Sequence, residues 1–148
     1  MRKIQCMRIL EIDAGHRLVN HESKCRNAHG HRYKFEIHCE ADGLDSVGRV
    51  IDFGAVKEIV GTWLDDNWDH AFIAQNEDPI VSFLQQNNQK HFLMSVPPTA
   101  ENLAQIVMNI CMVKLPKIIR CVKVVCWETP NCSAEVTEDG TTSLASLN

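Results

Sequence analysis

Residues 25–31 read Cys25-Arg26-Asn27-Ala28-His29-Gly30-His31. They lead into residues 29–42, where apolar residues at odd positions alternate with polar residues at even positions. Alternation with a period of two predicts a β-strand that is buried on one face. Side chains two residues apart project from the same face of a strand, so His29 and His31 lie together on the apolar face. A polar ring on that face needs a specific partner, and two imidazoles there form half of a metal site.

A third histidine comes from an earlier predicted strand, residues 3–15. His16 continues the parity of that strand's apolar series, which is Ile4, Cys6, Leu10, Ile12 and Ala14. The long connection of residues 17–28 can lay the two strands antiparallel, so that His16 faces His29 and His31. Three neutral histidines without a fourth protein ligand are typical of catalytic Zn²⁺, whose fourth position is open to water or substrate. The alternative is that these are ordinary histidines satisfied by hydrogen bonds.

The sequence contains seven cysteines and no C-x-x-C pair, which indicates neither a disulfide framework nor a zinc finger. Cys25 lies in a polar loop between Lys24 and Arg26. Adjacent positive charge increases the thiolate fraction of a cysteine, so we predict a reactive thiol there; the alternative is an idle loop cysteine. His38 lies on the polar face of its strand and is predicted to be solvated, without a metal role.

Composition predicts an ordinary globular chain. Of 148 residues, 45% are hydrophobic and 23% charged, and the formal net charge is -4. We expect one domain, residues 1–138, followed by a loosely ordered polar tail, residues 139–148. The absence of a lysine or arginine cluster argues against a nucleic-acid partner. No apolar run is long enough for a membrane span, and no signal-peptide pattern follows the N-terminus, so a cytoplasmic location is predicted.

Two main helices are predicted from capping residues and apolar spacing. Asp52 is a good N-cap for a helix of about three turns, whose apolar residues recur at helical spacing as far as Leu64. Thr99 can cap a second helix that Pro116 ends. A capping role accounts for the presence of Thr99 at this position at least as well as contact with a ligand does. Asp78-Pro79 predicts the start of a short helix between these two.

Residues 118–128 and 132–137 are predicted to form two further strands, because the first is rich in β-branched residues and a turn separates them. Residues 85–91 are interpreted as a polar loop without function. The order β-β-α-α-β-β predicts an α+β domain, with an antiparallel sheet and two helices on one face. Closing a barrel between subunits is one way to remove the exposed sheet edges.

Two further polar features accompany the predicted site. Glu128 shares parity with Val124 and Cys126, so its carboxylate ends an apolar row and needs a partner. A group that offers two parallel donors, as arginine does, is one such partner. The dipeptide Asp69-His70 follows the first helix. On spacing alone, such a pair is more often a solvated helix end than a functional pair.

Taken together, several motifs resemble the 6-pyruvoyl-tetrahydropterin synthase family. They are His16, Cys25-x-x-x-His29-Gly30-His31, Asp69-His70, Thr99-Ala100-Glu101-Asn102 and Glu128-Thr129. The resemblance runs from about residue 5 to residue 138, in the same order. Three residues separate Cys25 from the His-Gly-His motif, which resembles the 6-carboxy-tetrahydropterin synthase branch of queuosine (7-deazaguanine) biosynthesis. Five residues would resemble the pyruvoyl branch.

The resemblance implies a fold, an assembly and an activity. The fold is the tunnelling fold, whose subunits join their sheets into β-barrels, commonly as a hexamer with active sites at subunit interfaces. The activity is a lyase that converts 7,8-dihydroneopterin triphosphate to 6-carboxy-tetrahydropterin, acetaldehyde and triphosphate. One alternative is 6-pyruvoyl-tetrahydropterin synthase, which eliminates triphosphate without cutting the side chain. A second is a zinc-stabilised binding domain without catalysis.

The resemblance also implies roles for individual residues. His16, His29 and His31 hold Zn²⁺. Cys25 and His70 are catalytic, and Asp69 orients His70. Glu128 anchors the pterin and relays protons. Thr99 contacts the pterin ring.

Overall fold

A mixed sheet of six strands positions the predicted site in the computed structural model, which describes residues 2–138. The strands are β1 (Gln5–His16), β2 (His29–Glu40), β3 (Phe72–Gln75), β4 (His91–Met94), β5 (Arg120–Thr129) and β6 (Cys132–Thr137). Their order across the sheet is β4-β3-β1-β2-β5-β6. The α+β class is therefore confirmed.

Strands β1 and β2 form the antiparallel pair that the alternating pattern predicts. Their register places Ala14 opposite His31 and His16 opposite His29. The connection between them contains a 3₁₀ turn, Lys24–Arg26. Because the register is fixed along the whole length of both strands, the three histidines meet at one end of the pair.

Strands β3 and β4 are not predicted by the sequence, and both run parallel to their neighbours. Strand β3 pairs with β1 only at Gly15 and His16, and His91 begins β4 opposite Phe72. The prediction of a loop that includes His91 is therefore wrong. Each strand has only four residues, which is too short for a period of two to be distinguished from a loop.

The helices follow the predicted order. They are α1 (Phe53–Val56), a π-helical turn (Lys57–Gly61), α2 (Thr62–Asn67), α3 (Ile80–Gln86) and α4 (Ala100–Lys114). The first three follow one another without a break and correspond to the predicted first helix. Both predicted caps are present: Asp52 accepts a hydrogen bond from the Gly54 amide at 2.9 Å, and Thr99 accepts one from the Asn102 amide at 3.2 Å.

One apolar core joins the helices to the sheet. Its members on β1 and β2 come from the predicted inward-facing positions. Those on β5 are Val124 and Cys126 of the predicted apolar row and Cys121, which has the opposite parity and pairs with Cys39 beside a register shift. The helices contribute Leu64, Leu103 and Val107. Trp68, just after α2, is fully buried in the same cluster. Within residues 2–138, no helix is long and apolar enough to cross a membrane. The predicted tail of residues 139–148 lies outside the described residues.

Candidate metal centre and active site

Three histidines converge where β1 ends and β2 begins. One ligand atom from each of His16, His29 and His31 lies within 4.8 Å of the other two. The ring centroids of His16 and His29 are 4.7 Å apart, and those of His29 and His31 are 4.9 Å apart. His16 is almost fully buried, at 2% exposed, whereas the other two are half-buried. The predicted convergence is therefore present, and the group could hold a metal.

Backbone carbonyls orient two of these rings. His16 Nδ1 lies 2.7 Å from the Pro98 carbonyl oxygen, and His29 Nδ1 lies 2.6 Å from the Asn27 carbonyl oxygen. A carbonyl oxygen only accepts, so each Nδ1 carries the proton and each Nε2 presents its lone pair. Sequence analysis missed both partners, because a backbone carbonyl has no signature of residue type.

The inward-facing nitrogens fit a metal ion. The Nε2 atoms of His16 and His31 are buried and form no hydrogen bond. Buried polar atoms without partners are uncommon in folded proteins, and three convergent imidazole nitrogens are a zinc-type donor set. The ordinary-histidine alternative leaves these two atoms unexplained.

Burial also keeps these histidines in their ligating form. Desolvation lowers the pKa of His16 below its ordinary value of 6.5, and the nearby rings of His29 and His31 lower it further. Desolvation likewise lowers the pKa of His31. Both rings are therefore neutral at neutral pH, which is the form that binds metals.

Glu128 reaches the histidine group from a bulge in β5. Trp127 and Thr129 pair with β6 while Glu128 is left out of the pairing, and such a bulge re-aims a side chain. Glu128 Oε1 lies 3.3 Å from His16 Nε2 and 3.8 Å from His31 Nε2, contacts that are not hydrogen bonds. The carboxylate that ends the apolar row thus lies beside the predicted metal ligands.

Asp69 and His70 form a pair in the turn between α2 and β3. The Asp69 carboxylate accepts hydrogen bonds from His70 Nδ1 at 2.9 Å and from the Asp13 amide at 3.0 Å. Neighbouring side chains can meet here because His70 has a left-handed backbone, with φ of 58°. Burial alone would raise the pKa of Asp69, but the bonds from Asp13 and His70 hold it below its ordinary value. The His70 ring is 76% exposed and lies at the rim of the site.

Cys25 lies outside the histidine group. It is half-buried in the 3₁₀ turn, and its carbonyl oxygen accepts a hydrogen bond from the Leu18 amide at 2.8 Å. Among the residues that the structure describes, the only group able to hold a metal consists of the three histidines. That group offers three protein ligand atoms, and the Glu128 carboxylate lies next to it.

Two grooves meet beside His31. One, of about 700 Å³, is lined by His70, Phe72 and Phe83; the other, of about 530 Å³, is lined by Trp127 and Glu128. His31 and its neighbours Gly30 and Arg32 line both. The residue at position 30 must be small, since a Cβ there would lie 3.2 Å from the Ala14 carbonyl oxygen.

Thr99 and His38 were also singled out from the sequence, and neither belongs to the histidine group or lines the two grooves. Thr99 lines neither groove, and its hydroxyl caps α4. His38 is half-buried rather than solvated, and its Nε2 lies 2.9 Å from Glu36 Oε1. It is not part of the histidine group.

Fold and site together define an α+β protein with a group of three histidines that could hold a metal and that borders two grooves at His31. Comparison with known proteins identifies the family. The family model for 6-pyruvoyl tetrahydropterin synthase matches residues 5–139. The chain belongs to this family and is an enzyme of it, as the sequence motifs predict.

Individual relatives carry more specific names. The 6-carboxy-5,6,7,8-tetrahydropterin synthase of Rickettsia conorii is 40% identical over 137 residues, which cover 90% of this chain and 99% of the relative. The enzyme of the same name from Haemophilus influenzae is 35% identical, covering 86% and 94%.

Solved structures share the fold. An uncharacterized protein from Wolinella succinogenes matches with a TM-score of 0.83 at 20% identity, covering 94% of this chain and 100% of that one. The 6-pyruvoyl tetrahydropterin synthase of Caenorhabditis elegans matches with a TM-score of 0.69 at 22% identity, covering 94% and 98%.

Proposed function

We propose that the protein is a zinc-dependent lyase that converts 7,8-dihydroneopterin triphosphate and one water to 6-carboxy-5,6,7,8-tetrahydropterin, acetaldehyde and triphosphate in queuosine biosynthesis. The observation that carries the proposal is the convergence of three imidazoles, two of which have buried Nε2 atoms without a hydrogen-bond partner. The names of the curated relatives and the three-residue interval between Cys25 and His29 support the carboxy product.

His16, His29 and His31 are the proposed zinc ligands. Zinc bound there supplies Lewis-acid polarisation of the oxygen atoms on the substrate side chain. The protein contributes the orientation of the rings, which the Pro98 and Asn27 carbonyl oxygens fix.

Proton transfer is assigned to Cys25 and to the Asp69–His70 pair. The Cys25 thiolate removes the carbon-bound proton next to the pterin ring, and His70 moves protons at the side-chain oxygens. Asp69 accepts from His70 Nδ1, so it fixes the tautomer and orientation of that ring. The exposure of His70 at the rim of one groove suits a group that exchanges protons with a bound ligand.

Substrate binding is assigned to Glu128 and Thr99. The pterin edge offers an exocyclic amine and a ring N–H, two parallel donors that one carboxylate can accept. Glu128 lines a groove beside His31, so a ring held there has its side chain directed towards the histidine group. Thr99 is the proposed second contact, at the start of α4.

The proposed assembly is a cytoplasmic homohexamer without nucleic-acid or membrane partners. Within residues 2–138, most of one edge of β1 has no strand partner, since β3 pairs with it only at Gly15 and His16. Strand β6 forms one end of the sheet. Pairing of such edges between subunits closes a barrel and satisfies their backbone groups.

Mass analysis of the products formed from 7,8-dihydroneopterin triphosphate tests this proposal. The zinc-loaded protein is expected to release 6-carboxy-tetrahydropterin and acetaldehyde. Formation of 6-pyruvoyl-tetrahydropterin without acetaldehyde would replace the proposal by the pyruvoyl alternative. Absence of any product from a protein that retains zinc would support the binding-domain alternative.

A further inference from the structure

A buried ion pair lies directly beside the first metal ligand. Arg17 follows His16, and its Nε donates to Asp78 Oδ2 at 2.8 Å while one Nη donates to Asp78 Oδ1. The Asp78 side chain is 1% exposed and that of Arg17 23%. Bidentate pairs of this kind fix geometry as well as charge, and breaking a buried one leaves a charge without a partner.

The Asp78 end of the pair is firmly held. Asp78 Oδ1 also accepts from the Ile80 amide at 2.9 Å, at the start of α3. The Asp78 amide donates to the Gln75 carbonyl oxygen at 2.9 Å, at the end of β3. Since β3 pairs with β1 at His16, Asp78 is tied to the sheet that carries the metal ligands.

The Arg17 end belongs to the connection of residues 17–28, which contains Cys25. The Leu18 amide donates to the Cys25 carbonyl oxygen at 2.8 Å, so the residue after Arg17 is bonded directly to the cysteine. In the described part of the chain, Arg17 is the one residue of this connection whose side chain hydrogen-bonds outside it. The connection is also bonded at Asn27, whose carbonyl oxygen lies 2.6 Å from His29 Nδ1 on β2. Arg17 therefore supplies the attachment at the β1 end of the connection, and His29 supplies the one at the β2 end.

We propose that Arg17 and Asp78 are positioning residues, whose ion pair holds the 17–28 connection, and with it Cys25, in place against the segment that joins β3 to α3. Neither residue contacts the reacting atoms. The catalytic consequence rests on the proposed function, in which Cys25 is the base. The structural consequence, that residues 17–28 are held in place, does not rest on the proposed function.

Hydrogen exchange tests the structural part on the zinc-loaded protein. In Asp78→Asn and Arg17→Gln, amides of residues 17–28, including that of Leu18, are expected to exchange faster, while those of β1 and β2 keep their wild-type rates. Arg49→Gln is the matched control, since it breaks the exposed pair with Asp45 and lies in neither groove. Unchanged exchange in residues 17–28, or equally faster exchange in β1 and β2, would overturn the proposal.

Kinetics test the catalytic part. In both variants kcat is expected to fall about 10- to 100-fold with zinc content and KM unchanged, because a displacement near 1 Å costs rates of this order. Arg17→Lys, which keeps one charged bond to Asp78, is expected to recover part of kcat. A fall in zinc content, or a rise in KM without a fall in kcat, would contradict the positioning role. If the wild-type protein has no turnover but residues 17–28 exchange faster in both variants, the proposed function is wrong and the structural role of the Arg17–Asp78 pair is supported.

Discussion

Glu128 Oε1 lies 3.3 Å from His16 Nε2, so the carboxylate assigned to the pterin and a ligand assigned to the metal share one small space. A bulge in β5 produces this contact by leaving Glu128 without a partner in β6. In the proposed function, this contact places a pterin ring held by Glu128 next to the proposed metal ligands.

Replacing Glu128 tests the ring anchor. In Glu128→Gln, KM is expected to rise about 10- to 100-fold, since a hydrogen bond to a charged group contributes about 1.5–3 kcal/mol. Zinc content is expected to stay at the wild-type level, because the proposed ligands are the three histidines. Glu135→Gln on β6 is the matched control and should leave KM unchanged. An unaltered KM in Glu128→Gln would remove Glu128 from the pterin site.

Replacing a histidine ligand tests the metal centre. His29→Ala is expected to weaken zinc binding by about 100-fold or more, because changes that merely disturb ligand orientation already cost 10- to 100-fold. His38→Ala is the matched control: it lies on the same strand but pairs with Glu36 outside the group. Zinc titration with a competing chelator measures both. Equal affinities in the two variants would refute the assignment of His29.

Replacing Cys25 tests whether its thiol is a general base or a metal ligand. Cys25→Ala is expected to lose turnover by about 100- to 10,000-fold, the range for loss of a positioned general base. Zinc content should not change, because the sulfur lies outside the histidine group. The exposed Cys132 provides the control, and Cys132→Ala should keep its turnover. Loss of zinc from Cys25→Ala would make the sulfur a ligand instead.

Acid should destabilise the metal-free protein through the buried histidines. The folded-state pKa of His16 and that of His31 lie below 6.5, so the unfolded chain binds protons at pH values where the folded chain does not. The free energy of unfolding is therefore expected to decrease as the pH falls below 6.5. Urea unfolding at a series of pH values measures this slope, and His16→Gln should reduce it. An equal slope in the wild type and in His16→Gln would contradict the effect.

Local pattern was sufficient for the part of the fold that positions the metal centre. The alternation along β2 and the shared parity of His16 predicted which face the three rings occupy, because a one-residue slip would move every apolar side chain to the wrong face. The caps at Asp52 and Thr99 were also predictable, since they involve residues two or three positions apart.

Features that depend on distant contacts were not predictable. The Asp69 carboxylate is held by the Asp13 amide, 56 residues away, and Arg17 meets Asp78 across 61 residues. The ring-orienting oxygen of Pro98 is a backbone atom, which any residue could supply. Strand β4 pairs with β3 along all four of its residues, and a segment of that length is too short to carry a pattern of its own.

X-ray absorption at the zinc edge tests the central claim most directly. For the zinc-loaded protein we predict one zinc per chain, bound by three imidazole nitrogens at about 2.0–2.1 Å and one exchangeable oxygen. A sulfur neighbour at about 2.3 Å, or a protein that binds no zinc, would contradict the three-histidine centre with an open position.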